Sequence, residues 1–252
     1  ASRRIWQEYI ASAGHRVGLV PRAVRARGAA LAARAPAPGT PYAKELRLLQ
    51  HVLGTGRAGS PESVCQAIER FGEVVLGPSS SWLKVAAGAK AAVLAAAVRG
   101  APAGGDVLEI GAYCGYSATR LLAALPGVSL TTMDVDPVCV VIAKNVIAFA
   151  GLSRLAHVWT GHSEKLIPRL AEQPLAPAFA AVFMDQRGSR YEDDLAALER
   201  HGLLRPGAVV VADNVLKPGA PLYLWRVRGG AYATRIASVR EFAMPSEDWI
   251  SV

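Results

Sequence analysis

The 252-residue chain contains few cysteines, few charged residues and no long apolar run. Its three cysteines lack the paired spacing of a zinc site or a disulfide framework, and its five histidines are scattered. This pattern argues against a zinc centre and favours a reducing compartment. No uninterrupted apolar stretch reaches the length of a bilayer span. With 52% hydrophobic residues the chain can bury a large core, so we expect a globular, intracellular and cytoplasmic protein.

Acidic residues are scarce in the first 40 positions, which contain seven arginines and one acid, Glu8. The rest of the chain is nearly neutral, which argues against a nucleic-acid-binding body, because such a body carries a basic face on the fold itself. Residues 1–41 are interpreted as a basic helical arm with a proline-rich linker, and residues 42–252 as the main domain. A helix pair capping the domain, an anionic membrane surface, an acidic partner and organelle targeting all remain open for the arm.

From residue 107 onward, short apolar runs alternate with helical stretches. This alternation predicts an α/β fold whose mostly parallel sheet is covered by helices on both faces. Two final runs without an intervening helix predict a closing antiparallel hairpin, which brings the sheet to seven strands. The strands are expected at 107–110, 129–135, 156–161, 180–185 and 208–214, with the hairpin inside 230–252.

The stretch DVLEIGAYCGYS (106–117) combines a buried strand, a glycine turn and the start of a helix. Its spacing is E-x-G-x-x-x-G, whereas the pyrophosphate-binding turn of nicotinamide enzymes requires G-x-G-x-x-G. A turn preceded by Glu109 suits a ligand with a cationic group and ribose hydroxyls, such as S-adenosylmethionine. Asp134 follows at the interval expected of a carboxylate that accepts from both ribose hydroxyls. The alternative is a turn whose glycines serve packing alone.

Polar residues follow each strand of the predicted parallel sheet, at the edge where ligands bind in such folds. Asp185, Asp213 and Asn214 come after two of these strands. Carboxylate and amide oxygens are hard ligands, and three of them leave part of an octahedral shell open for water and substrate, as Mg²⁺ is commonly held. The alternative is a set of loop-capping side chains that bind no ion.

Several segments resemble the catechol O-methyltransferases, which belong to the class I S-adenosylmethionine-dependent small-molecule O-methyltransferases. The most specific matches are EIGAYCGYS (109–117) and ADNVLKPGAP (212–221), and MDVDP (133–137) and FMDQRGSRY (183–191) support them. The resemblance covers about residues 44–252. It implies a Rossmann-like methyltransferase fold.

The resemblance also implies roles for individual residues. The three oxygen-bearing side chains described above match the family's magnesium ligands. Trp82 and Pro218 match apolar walls that hold the catechol ring, and Glu241 matches an acid that binds the second hydroxyl. Glu164 stands where the family usually has glutamine. The matching positions for S-adenosylmethionine are Lys84, Ala86, Glu109, Gly111, Tyr113, Ser117, Asp134, Val135, Gly161, Ser163, Glu164 and Asp185.

One departure from the family pattern concerns the general base. Gly188 stands where the family carries the lysine that takes the phenol proton, and Arg187 replaces the tryptophan before it. General-base assistance is worth roughly a hundred- to ten-thousandfold, so activity is expected to fall without vanishing. Lys217 and Arg187 are candidate substitutes, and Glu241 is the third candidate catalytic residue. On this basis Gly188→Lys is expected to raise the rate at neutral pH.

The expected function is Mg²⁺-dependent transfer of a methyl group from S-adenosylmethionine to a hydroxyl of a vicinal dihydroxy aromatic molecule. The expected partner is this small catechol-type substrate and not nucleic acid, and both a monomer and a dimer remain open. Two alternatives are kept. One is a non-catalytic homologue that binds S-adenosylmethionine, and the other is a nicotinamide-dependent oxidoreductase on a similar sheet.

Overall fold

The computed structural model describes residues 39–77 and 83–252. Most of the predicted arm and Trp82, the predicted substrate wall, therefore lie outside the described residues. The α-helices, numbered in chain order, are α1 Ala43–Thr55, α2 Pro61–Arg70, α3 Ala89–Arg99, α4 Tyr116–Ala124, α5 Pro137–Phe149, α6 Ser163–Ala171, α7 Tyr191–Arg200 and α8 Pro221–Val227. The strands are β1 Asp106–Ile110, β2 Leu130–Asp134, β3 Ala156–Thr160, β4 Phe179–Met184, β5 Leu204–Ala212, β6 Ile236–Arg240 and β7 Glu247–Ser251.

Two helices begin where the sequence supplies a capping side chain. The Ser60 hydroxyl accepts a hydrogen bond from Ser63 N at 3.4 Å ahead of α2, and the Asp136 carboxylate accepts one from Val138 N at 2.8 Å ahead of α5. A proline follows each cap at a position where its missing N–H costs nothing. Beyond α2 the chain continues as a π-helical segment, Phe71–Leu76, which the sequence pattern did not separate. None of the helices in the described ranges is both long and apolar enough to cross a bilayer.

The seven strands form one sheet in the order β3-β2-β1-β4-β5-β7-β6. Strands β1 to β5 pair in parallel, whereas β7 is antiparallel to both β5 and β6. The predicted α/β fold with a mostly parallel sheet and a C-terminal antiparallel hairpin is therefore confirmed. The hairpin joins the sheet through its second strand, which lies between β5 and β6.

The register aligns the carboxyl ends of the central strands. Ile110 pairs with Met184, and Met184 pairs with Ala212. The residues that follow β1, β4 and β5 consequently emerge together at one edge of the sheet. At this edge a Cβ on Gly111 (φ +108°) would lie only 2.5 Å from the Asp185 carbonyl oxygen. Only glycine permits the ends of β1 and β4 to approach so closely.

Helices cover both faces of the sheet, and successive residues of β1 face different layers. Val107 packs in one apolar cluster with Leu94 of α3, and Leu108 packs in another with Leu195 of α7. A third cluster joins α1, α2 and α5. Glu109, on the same face as Val107, has no solvent exposure. A carboxyl group is thus fully buried next to the glycine turn.

Candidate active site

Two cavities open side by side at the carboxyl edge of the sheet, with volumes of about 470 Å³ and about 450 Å³. We call them the first and the second cavity. Tyr113, Asp185, Gln186 and Arg187 line both. The residues after β1 and after β4 therefore form a common wall, and ligands bound in the two cavities would be separated by no more than these side chains.

The first cavity collects most of the residues predicted to bind the cofactor. Eight of the twelve line it, namely Gly111, Tyr113, Asp134, Val135, Gly161, Ser163, Glu164 and Asp185. Ile110, Met133 and Arg190, for which the sequence suggested no role, line it as well. The turns after β1, β2, β3 and β4 thus contribute to one cavity, as expected for a ligand laid across the edge of a parallel sheet.

The other four predicted cofactor residues lie elsewhere. Lys84 is exposed and lines the second cavity, not the first. Ala86 is 2% exposed and packs in the apolar cluster of α3, so it borders neither cavity. Glu109 and Ser117 are buried on either side of the glycine turn.

Glu109 carries a buried oxygen without a partner. Thr132 donates its hydroxyl to Oε2, while Oε1 has no hydrogen-bond partner among the described residues. Burial raises the pKa of Glu109 to about 8, and hydrogen bonds from Thr132 and Ser117 offset this only in part. A cationic group beside Oε1 would supply the missing partner and restore the carboxylate. The turn therefore fits a ligand that carries an ammonium group.

Asp134 connects the end of β2 to the glycine turn. Its Oδ2 accepts from Tyr113 N at 2.8 Å, and its Oδ1 accepts from Asp136 N at 2.9 Å. Each carboxylate oxygen keeps a further lone pair for a ligand hydroxyl. The Tyr113 hydroxyl in turn donates to Glu45 of α1 at 2.9 Å. These bonds fix the wall between the cavities to β2 and to the helical layer.

A buried aspartate that the sequence did not single out supports the far side of the first cavity. Asp194 Oδ2 accepts from the Ser163 hydroxyl at 2.7 Å and from Gln186 Nε2 at 2.8 Å. The Arg190 guanidinium lies 3.7 Å from Asp194 Oδ1. Burial raises the pKa of Asp194, opposed by these hydrogen bonds. Ser163 and Gln186, which follow different strands, are thereby held in one network.

The second cavity ends at a buried lysine that contacts two acids, and a third acid, Asp185, lines the same cavity. Lys90 Nζ lies 2.7 Å from Asp213 Oδ1 and 2.6 Å from Glu241 Oε1, and Lys90 is only 1% exposed. Burial and the neighbouring Asp213 carboxylate raise the pKa of Asp185 well above its usual range. One ammonium group thus faces three carboxyl groups, and the cluster is short of positive charge.

Asn214 is oriented by two buried acids, Asp248 and Glu241. Its Nδ2 donates to Asp248 Oδ2 at 2.8 Å and to Glu241 Oε1 at 3.1 Å. Asp248 Oδ1 also accepts from the backbone N–H groups of Leu216 and Lys217, at 3.2 and 3.1 Å. Because the Asn214 nitrogen is committed to these acids, its amide oxygen is the end that remains for a ligand in the second cavity.

The three predicted metal ligands, Asp185, Asp213 and Asn214, all line the second cavity. Two carboxylates and an amide oxygen are a donor set for a hard divalent cation, and the surplus of acids around Lys90 fits such a charge. Across residues 39–77 and 83–252, no three His, Cys, Asp or Glu side chains are already arranged around a common metal position. The second cavity therefore contains suitable ligands for a cation, but these side chains are not yet arranged around a single metal position.

Backbone fills the place of the family's lysine. Gly188 is buried, and a Cβ there would overlap the Gly219 carbonyl oxygen. Lys217 and Pro218 of the same segment line the second cavity, and Arg187 lines both cavities. The expectation that a lysine at position 188 would simply restore the base is therefore inconsistent with the packing, since its side chain would first have to displace the Gly219 segment.

Comparison with known proteins agrees with this geometry. The O-methyltransferase family model matches residues 86–223. Catechol O-methyltransferase from Mus musculus is 38% identical over 189 residues, which are 75% of this chain and 69% of the relative. The enzyme of that name from Bos taurus is 38% identical over 189 residues, which cover 75% and 67%. The crystal structure of the O-methyltransferase TomG from Streptomyces achromogenes, in complex with S-adenosylmethionine, matches with a TM-score of 0.57 at 25% identity, over 68% of this chain and 81% of TomG.

The chain therefore belongs to the S-adenosylmethionine-dependent O-methyltransferase family. Within that family it is related to catechol O-methyltransferase, as the glycine turn and the ADN segment predicted. This membership sets aside the nicotinamide-dependent alternative. S-adenosylmethionine is accordingly the ligand against which the first cavity is interpreted.

Four residues that organise the site had no role assigned to them from the sequence: Asp194, described above, and Lys90, Gln186 and Asp248. Lys90 is a charge within the otherwise alanine-rich sequence of α3, and such a charge signals a buried partner. Gln186 directly follows a predicted metal ligand, so its position was a usable signal. Asp248 gave none, because the site residues that it holds, Asn214, Leu216 and Lys217, lie more than 30 residues away along the chain.

Binding of S-adenosylmethionine near pH 7 is expected to release up to about one proton, because the ligand's positive charge converts neutral Glu109 into a carboxylate. The release should decline above about pH 8, where Glu109 is already ionised. In the cofactor-free protein the raised pKa favours the neutral form, so this group's contribution to stability falls as the pH rises toward 8. Calorimetry in buffers of different ionisation enthalpy measures the release. An unchanged release in Glu109→Gln would contradict the assignment.

Lys90→Met is expected to lower the free energy of unfolding by about 3–5 kcal/mol, because it leaves buried carboxylates without their cation. Lys84→Met is the matched control, since Lys84 is an exposed lysine of the same cavity and forms no ion pair with a described residue. Its loss should stay below about 0.5 kcal/mol. Urea denaturation followed by circular dichroism compares the two, and equal losses would refute the structural role of Lys90.

Proposed function

We propose that the protein transfers the methyl group of S-adenosylmethionine to one hydroxyl of a vicinal dihydroxy aromatic molecule, with Mg²⁺ beside the substrate. The observation that carries this proposal is the pair of adjoining cavities that share Asp185. The first offers acceptors for a cationic nucleoside, and the second offers oxygen ligands on which two adjacent hydroxyls can converge.

The strand order supports this arrangement by ordering the groups along the edge. From β3 to β5 the sheet runs β3-β2-β1-β4-β5. Along this order, Glu164 follows β3, Asp134 ends β2 and Glu109 lies near the end of β1. Asp185 follows β4, and Asn214 follows β5. Adenine, ribose, sulfonium and cation would thus lie side by side in the sequence that a methyl transfer requires. Holding both reactants in contact is itself a large part of the rate enhancement.

Asp185, Asp213 and Asn214 would hold Mg²⁺, which when bound lowers the pKa of a substrate hydroxyl and favours the nucleophilic form. The chain's own residues orient these ligands. Lys90 and the Asn214 N–H both engage Asp213 Oδ1, at 2.7 Å each, and so leave Oδ2 for the cavity. Glu241, which lines the same cavity, is placed to accept from the second hydroxyl.

Proton removal from the substrate has to proceed without a lysine at position 188. A guanidinium has no acceptor, so Arg187 can stabilise a phenolate but cannot take its proton. Glu241 lines the second cavity and can accept one as a carboxylate, whereas Lys217 of the same cavity could do so only as a neutral amine. The reaction is an in-line displacement in which opposite charges cancel, so exclusion of water from this site favours it.

A non-catalytic homologue that binds S-adenosylmethionine is the second candidate. The glycine at position 188 favours it. The acid cluster around Lys90 favours catalysis, because a fold that bound no cation would have little reason to keep three carboxyl groups together in a buried position. A single-turnover assay with the loaded protein separates these two functions.

With Mg²⁺ and methyl-labelled S-adenosylmethionine, catechols are expected to gain label and the corresponding mono-phenols are not, because only two adjacent oxygens complete the proposed cation site. Chelation or Asp213→Asn should reduce turnover by roughly a hundredfold or more. Asp106→Asn is the control, since Asp106 opens β1 at the opposite edge of the sheet. Equal labelling of mono-phenols, or turnover that is unchanged by chelation, would contradict a metal-assisted reaction. Cofactor binding without any turnover would establish the non-catalytic homologue.

Gly188→Ala and Gly188→Lys are both expected to lower stability by about 1–3 kcal/mol and to reduce turnover, because any side chain at this position pushes against the backbone of Gly219. Gly54→Ala is the control, since nothing lies within 4 Å of the added Cβ. Urea denaturation and initial rates at neutral pH provide the comparison. A faster Gly188→Lys enzyme would show that the loop yields and the base can be restored.

A further inference from the structure

We propose that the substrate carries an anionic group, such as a carboxylate, at the end opposite its reacting hydroxyls. This inference rests on the proposed function and names the class of substrate within it. The site in question is the outer part of the second cavity, defined by Lys84, Arg187 and Lys217, which we call the cationic rim.

The three cations of the rim come from separate segments of the chain. Lys84 precedes α3, Arg187 follows β4 and Lys217 follows β5, yet all three line one cavity. Each is exposed, in contrast to the buried Lys90 at the inner end. None of the three forms an ion pair with an acid of the described ranges. The rim therefore presents positive charge that no described residue neutralises.

The acids of the second cavity do not supply partners for the rim. Asp185 is one of the proposed cation ligands and forms no ion pair with a rim cation, and Asp213 and Glu241 are held by Lys90 at 2.7 and 2.6 Å. Asp248 is buried and accepts from Asn214 Nδ2 and from backbone N–H groups. Glu247 is the exposed acid that lines this cavity, so one rim acid faces three rim cations. The imbalance favours an anion at the mouth.

Two other arginines of this part of the fold are paired with acids. Arg190 of the first cavity lies 2.9 Å from Asp193, and Arg226 lies 2.7 Å from Glu192 and 2.5 Å from Glu199. The three cations of the rim form no such pairs within the described ranges. They are the cations that a molecule entering the second cavity meets.

The polarity of the cavity orients the substrate. Its inner end holds the proposed cation ligands, where the two hydroxyls converge, and its outer end is cationic. An aromatic acid placed with its hydroxyls inward brings its carboxylate to the rim. One exposed ion pair changes an equilibrium by less than about fivefold, so three together amount to a preference on the order of tenfold. Such a preference must weaken as salt screens the charges.

Three catechols that differ in side-chain charge test the inference: 3,4-dihydroxyphenylacetate, 4-methylcatechol and 3,4-dihydroxyphenethylamine. At low ionic strength kcat/KM is expected to be about tenfold higher for the carboxylate than for the amine, with the neutral compound between them. The ratio should shrink toward unity in 0.5 M NaCl, because the Debye length there is only about one-third of its value at low ionic strength. Equal values, or a preference for the amine, would overturn the proposal.

Single variants assign the effect to the rim. Lys84→Gln, Arg187→Gln and Lys217→Gln should each lower the ratio of kcat/KM for the carboxylate to that for 4-methylcatechol by about two- to fivefold. The ratio cancels any effect common to both substrates. If Lys217 acts as the base, Lys217→Gln lowers both values together and leaves the ratio unchanged, which would count against its role here. Arg200→Gln is the control, because Arg200 is exposed at the end of α7 and lines neither cavity.

Equilibrium binding separates failure of this inference from failure of the proposed function. The three compounds are titrated into the Mg²⁺-containing protein loaded with S-adenosylhomocysteine, and heats are recorded by calorimetry. Tighter binding of the carboxylate, together with no methyl transfer when S-adenosylmethionine replaces S-adenosylhomocysteine, would support the cationic rim and refute catalysis. Methyl transfer with equal affinities for the three compounds would support catalysis and refute the rim.

Discussion

The close contact between Gly111 and the backbone of Asp185 is the constraint on which the rest of the site depends. A side chain at position 111 would meet the Asp185 carbonyl oxygen at 2.5 Å, so the turn after β1 passes this close to the end of β4 only because residue 111 is glycine. One carboxylate can therefore border both cavities. A wider gap would separate the cofactor from the second reactant, and methyl transfer needs the two in contact. The distance is set by paired strands, which hold it more rigidly than loops would.

Several carboxyl groups lie at the same edge of the sheet, and the protein alone does not provide enough positive charge and hydrogen-bond donors for all of them. Glu109 holds its proton because one of its oxygens is buried without a partner. Asp213 and Glu241 share a single lysine. Positive charge from bound molecules would complete both ends of the site. Buried carboxyl groups that lack a compensating charge are common at functional sites, where residues are suited to binding a ligand and not to stabilising the fold.

Much of this organisation could be predicted from the sequence, and the rest could not, for physical reasons. Apolar runs locate the strands, and parallel pairing brings the polar residues after them to one edge, so Asp134 and Asp185 were found from local pattern alone. Lys90 was not, because the glutamate that it contacts lies 151 residues further along the chain. Matching to the family also placed Ala86 beside the cofactor; in the structure Ala86 is buried in the apolar cluster that includes α3, and its place beside the cofactor stays a prediction. The sequence could not show that the Gly219 backbone faces Gly188, because a glycine has no side chain whose polarity or spacing would indicate its neighbours.

The backbone contact between Gly188 and Gly219 limits which side chains position 188 can accept. The segment after Asn214 is pinned by Asp248 through two backbone N–H groups, so it is not free to withdraw. A single codon change to lysine would introduce a side chain into occupied space. A lysine at position 188 would therefore need a second change that retracts this segment before its side chain could reach the cavity. In this fold the ionisation of a phenol is left to groups other than residue 188.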